Sequence, residues 1–144
     1  MESLWLSLQQ SSFAVSVRSS EFIYPAANVL HVLGVIGLYG LVAAMDFQIL
    51  AGSGSNTLVA RLRPYAIATL AVVALAGFTL FAADAVAVAA NPVFQLKLLA
   101  ILLAVLNFLV HITAKRRGVL RATAAISLVV WLIVAALGRY IAYA

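Results

Sequence analysis

Cysteine is absent from this chain of 144 residues. That excludes disulfides, iron–sulfur clusters and thiolate metal sites. Charge is scarce too, at 9% of residues against 66% hydrophobic, where a soluble domain carries roughly 25% and 45–50%. A soluble fold of this size has too little interior for so much apolar surface. The lipid bilayer is therefore the solvent for most of the chain. Only two histidines and four acidic residues are present. No nucleophile–base pair or carboxylate dyad stands out among them, so hydrolytic chemistry has no support. The net charge of +5 comes without a basic face on a soluble domain, which argues against a nucleic-acid partner.

Four apolar stretches reach the roughly 20 residues that a crossing needs: 25–50, 64–87, 92–114 and 122–143. The expected fold class is therefore all-α, an integral membrane four-helix bundle over 21–144. Pro25, Pro64 and Pro92 each open a stretch, as proline does at a first helical position, and Asn91 is the expected N-cap of the third. Residues 1–20 are too polar to span. Leu4, Trp5, Leu8 and Val15 share a face, so this segment reads as a short amphipathic helix on the outer surface, either capping the bundle or docking a partner. Met1-Glu2-Ser3 lacks the positive start of a cleaved signal peptide. No internal repeat is visible, which leaves an inverted-repeat transporter without support.

Of nine basic residues, Arg61, Arg63, Lys115, Arg116, Arg117 and Arg121 fall in or beside the two loops on one side. By the positive-inside rule that side is cytoplasmic and both termini are periplasmic. Tyr24, Tyr140 and Tyr143 mark the outer interface. Asp46, level with the cytoplasmic boundary, is expected to pair with Arg61 or Arg63, and Arg18 with Glu21, Asp84 or an anionic group.

Polar groups inside a membrane face the bundle interior and mark function. In the third stretch Lys97, Ala100, Ala104, Asn107 and His111 recur at spacings of three and four, one inward stripe. In the first, Asn28, His31, Val35, Tyr39, Val42 and Asp46 share a face beside Gly34, Gly37 and Gly40, a small strip that permits close approach. The second stretch offers Tyr65, Thr69, Ala76 and Thr79 to the interior. The fourth offers Ser127, Trp131, Ala135 and Gly138, with Arg139 near the outer end.

Imidazole is a ligand of haem iron, copper and zinc, which makes His31 and His111 the candidate cofactor ligands. If the first and third helices start level, the two histidines differ in depth by about 16 Å at 1.5 Å per residue. One haem clamped by both then requires a first helix starting nearer Glu21. Otherwise there are two sites, His31 in the outer half, paired across a homodimer, and His111 in the inner half near Met45. Arg18, Lys97 and Arg139 are the cations placed to meet haem propionates, and Asn107 is a further cofactor contact.

The segments Tyr24-Pro25-Ala26-Ala27-Asn28-Val29-Leu30-His31, Arg63-Pro64-Tyr65 and Ala90-Asn91-Pro92-Val93-Phe94-Gln95-Leu96-Lys97, with Asn107 and His111, resemble a family of small four-helix bacterial inner-membrane proteins of uncharacterised function. More distantly, the chain is similar to the membrane domains of copper-resistance D proteins and to b-type cytochrome subunits. The resemblance implies fold and compartment, and activity hardly at all. Four functions stay open. The leading one is a haem b subunit passing electrons between a periplasmic donor and the quinone pool or another partner. Next come copper handling through His31, His111 and Met45, and a non-catalytic membrane anchor. Proton or small-solute transport along the Lys97–His111 stripe is the last.

Overall fold

The computed structural model describes residues 2–52 and 57–143. Over these residues the chain is helical: α1 (Glu2–Gln9), α2 (Ser12–Ser19), α3 (Ile23–Ala51), α4 (Thr57–Ala83), α5 (Ala85–Ala90), α6 (Pro92–Thr113), α7 (Arg117–Tyr140) and a closing 3-10 turn, Ile141–Tyr143. The α3, α4, α6 and α7 helices are long and apolar enough to cross a membrane. They form an all-α four-helix bundle. Both ends of the described chain lie at one end of it, the terminal end, opposite the loop end. Closest packing runs α4 to α3, α3 to α7 and α7 to α6. Side chains join α6 to α4 at the terminal end, where the Phe81 and Phe94 rings stack at 5.3 Å between centroids.

Local sequence accounts for some of the helix ends. The Asn91 side chain accepts from the backbone N–H of Val93 at 2.8 Å and of Phe94 at 3.3 Å, and Pro92 follows at the first position, as expected. Gly52 ends α3 in the left-handed region (φ 70°), which only glycine enters without a steric cost. Proline placement differs from expectation at two sites, the milder being Pro25, which is the third residue of α3 rather than its first. Pro64 lies inside α4, whose first seven residues precede it. Neighbouring groups near the membrane boundary can satisfy the carbonyl that a proline leaves without a donor. Arg61 and Arg63 consequently stand on α4 rather than in a loop. The centre of the Gly/Ser-rich connection, 53–56, lies outside the described residues.

The amphipathic segment is two helices rather than one. Ser11 separates them, accepting from the Ala14 N–H at 3.2 Å as the N-cap of α2. Both dock on the bundle. The Arg18 guanidinium donates to the Ala83 carbonyl at 2.7 Å, and the Gln9 side-chain oxygen accepts from the Val86 N–H at 2.8 Å. Those two backbone groups flank Asp84, where the chain breaks between α4 and α5. Arg18 thus bonds to a carbonyl, in place of the expected pairing with Glu21 or Asp84. Trp5 meets Phe81 edge-on and Phe13 stacks on Phe78, so α1 and α2 form a cap.

Candidate functional site

Small residues bring the helices together in the interior. Val73, Ala76, Ala100, Ala104 and Ala124 are all buried. The α6 stripe faces inward as the spacing predicts. Lys97, Asn107 and His111 are half-buried and Ala100 and Ala104 buried, while Leu98, Leu99, Leu102, Leu103, Leu106 and Leu109 are exposed to lipid. The α3 face is correct in its middle and wrong at its start. His31, Val35, Tyr39, Val42 and Asp46 turn inward, whereas Asn28 is exposed. Tyr65 on α4 is also outward, at 65% exposure. Of the glycine strip only Gly34 is a close approach, since a Cβ there would stand 2.6 Å from Val73 Cγ2. Gly37 and Gly40 have nothing within 4 Å.

Around His31 the geometry is specific. Its Nδ1 lies 2.9 Å from the Val73 carbonyl oxygen of α4. A carbonyl only accepts, so Nδ1 carries the hydrogen, and a neutral ring then keeps its lone pair on Nε2. Gly77, one turn beyond Val73, provides the flat seat for the ring. A Cβ at that position would come 2.9 Å from His31 Cε1 and 3.2 Å from Nδ1. Lys97 is close enough to act on His31 electrostatically. The ammonium of Lys97 extends toward α7, where a Cβ on Gly138 would stand 3.0 Å from Nζ. Above this group lie the stacked Phe81 and Phe94 rings, each one helical turn toward the terminal end. Gly77 was not singled out by the sequence, because only the packed neighbour reveals what its missing side chain admits.

His111 occupies a different neighbourhood. Its Nδ1 is 2.7 Å from Thr123 Oγ1 of α7. That hydroxyl also lies 3.0 Å from the carbonyls of Val119 and Leu120, which take its hydrogen and leave it to accept from His111. Asn107 donates to the Thr123 carbonyl at 2.9 Å. Asn107 and His111 thereby clamp α6 to α7, with Arg63 nearby.

Lys97 and Gly138 mark the level of His31, and Thr123 marks that of His111. The fifteen residues from Thr123 to Gly138 span about 22 Å at 1.5 Å per residue, more than the offset expected from the sequence. Starting α3 at Ile23 does not close the gap, and one haem clamped by both histidines does not fit. Pairing of His31 across a homodimer does not fit either, because the ring seats on α4 inside the bundle. Met45 packs on the apolar cluster of Leu38, Val42 and Ala66, beside Leu41 and Trp131, and belongs to that core rather than to a donor set. His31 thus stands apart from His111, and Met45 packs in the apolar cluster. Among the described residues no cluster of three His, Asp or Glu is disposed for a metal. Arg139 is exposed and engages Tyr143 through a hydrogen bond and by stacking over its ring, 4.7 Å from the centroid.

Asp46 is the residue whose surroundings the sequence did not convey. It is buried at 7% exposure with Ser127 of α7 in hydrogen-bonding reach. Its Oδ2 has no hydrogen-bond partner. Arg61 and Arg63, the expected partners, are both exposed. Comparison with known protein families, curated proteins and solved structures gives no match, so the functional reading of this chain rests on its own residues.

Proposed function

We propose that this bundle is a membrane-embedded electron-transfer subunit that holds a b-type haem through His31. The observation that carries the reading is the His31–Val73 hydrogen bond over Gly77. It sets the tautomer and the ring orientation and leaves Nε2 as the donor atom, which is how a ligating imidazole is held by its outer neighbours. Lys97 is the cation beside that ring and suits a propionate carboxylate. The haem, when bound, supplies a one-electron iron couple. The protein supplies position, an apolar surrounding and a neighbouring positive charge. A periplasmic donor and the quinone pool are the exchange partners this reading requires. It places the chain in a bacterial inner membrane with the basic loop end in the cytoplasm.

His111 has no part in that ligand set. Its bond to Thr123 beside Asn107 supports a second reading, a non-catalytic anchor in which the polar groups only join helices. An absorption spectrum of purified protein, air-oxidised and then dithionite-reduced, separates the two. The haem reading expects a Soret band and a reduced α-band that His31→Ala removes almost completely and His111→Ala largely retains. Colourless protein from cells with adequate haem overturns it. Copper that His31→Ala or His111→Ala depletes, found in the same sample, shifts the assignment to metal handling.

A further inference from the structure

Among the described acidic side chains, Glu21 and Asp84 are exposed at the terminal end, and Asp46 is buried within the bundle toward the loop end. Asp46 follows Val42 by one turn of α3, and Ser127 precedes Trp131 by one turn of α7. The pair therefore sits immediately below the apolar cluster to which Val42 and Trp131 belong. Hydrogen-bonding capacity around the carboxyl is poor, with the Ser127 hydroxyl in reach and Oδ2 alone. No cation among the described residues compensates it. On α4 the charged residues at this end are Arg61 and Arg63, both exposed, with Arg63 near His111. On α7 they are Arg117 and Arg121, also exposed, and the inward groups there are Thr123 and Ser127.

An ionised carboxylate in such a place keeps a full charge against apolar walls with one oxygen unsolvated, which is heavily unfavourable. A carboxylic acid avoids this, because neutral oxygens tolerate a missing partner far better. We infer that Asp46 is a proton-binding site inside the bundle, occupied at neutral pH. A polar column leads to it from the loop end. His111 bonds Thr123 at 2.7 Å, and Ser127 follows Thr123 by one turn, about 6 Å along the axis. The site is separate from His31 and does not depend on the haem reading.

The test uses full-length protein in lipid vesicles and dicyclohexylcarbodiimide, an apolar reagent. The O–H of a carboxylic acid adds across its C=N bond, and the adduct rearranges to a stable N-acylurea. A carboxylate does not react this way. The expected result is a mass adduct on Asp46 near pH 7, absent from Asp46→Asn, that declines about tenfold per pH unit above its midpoint. A water-soluble carbodiimide should prefer Glu21 and Asp84. Labelling confined to below about pH 5, where an ordinary carboxyl near 3.9 titrates, overturns the proposal. Infrared difference spectra of wild type against Asp46→Asn at pH 7 give an answer independent of reagent access. The C=O stretch of a protonated carboxyl supports the site, and carboxylate bands overturn it.

Discussion

At the scale of the residue, the seat of His31 is sensitive to change. Gly77→Ala places a methyl 2.9 Å from a ring carbon held between two backbones, so the ring must leave the Val73 carbonyl. Overpacking of this kind costs about 1–3 kcal/mol. It should appear as a lowered unfolding midpoint and, where haem is bound, as loss of most of the Soret absorbance. Gly138→Ala also meets a close neighbour, Lys97 Nζ at 3.0 Å, but the end of a flexible chain can move, and a mild effect is expected. Gly37→Ala meets nothing within 4 Å and should be neutral or slightly stabilising, since alanine is the better helix former by about 1 kcal/mol. Equal effects at 77 and 37 in thermal unfolding would show that the seat is not close-packed.

Between elements, two kinds of junction hold the bundle. The α6–α7 clamp is polar. Asn107→Leu removes the donor to the Thr123 carbonyl and should cost about 0.6 kcal/mol, with roughly 1.7 as the upper end for such bonds in membranes. Leu103→Ala, half exposed to lipid, leaves the helix contact intact and should cost less. Unfolding in graded denaturing detergent ranks the two, and the reverse order would mean that α6 turns a different face toward α7. The cap is held by charge-assisted and aromatic contacts. Arg18→Ala frees the Ala83 carbonyl at the α4–α5 break. It should raise amide exchange in α1 and α2 while leaving α6 and α7 unchanged. Exchange that rises evenly along the chain would mean that the cap is integral to the bundle rather than docked on it.

For the whole molecule, an even number of spans places both ends of the described chain on one side. The proposed orientation puts the six basic residues at the other end in the cytoplasm, following the positive-inside rule. A reporter fused after Ala144 should accordingly be active as alkaline phosphatase and dark as a cytoplasmic fluorescent protein. The opposite pattern inverts the assignment and moves the polar column below Asp46 to the periplasmic face.

Span number, the inward stripe Lys97–His111 and the Asn91–Pro92 helix start were legible in the sequence. Hydropathy, helical period and capping are local properties that a bilayer enforces strongly, because every backbone polar group must be satisfied within its own segment. The internal position of Pro64 and the division of the cap at Ser11 were not legible. In both places local signals compete, and packing or interfacial hydrogen bonds decide between them. The partners of the polar side chains lay furthest from reach. Periodicity turns Asn28 and Asp46 to the same face of α3, yet one is exposed and the other buried, because neighbouring helices cover only part of that face. The separation of His31 from His111, the role of Gly77 as a seat and the isolation of the Asp46 carboxyl depend on which helix lies opposite and at what height. Those are relations between segments far apart in the chain. The one-dimensional pattern decides which residues turn inward, and the tertiary structure decides what each of them meets there.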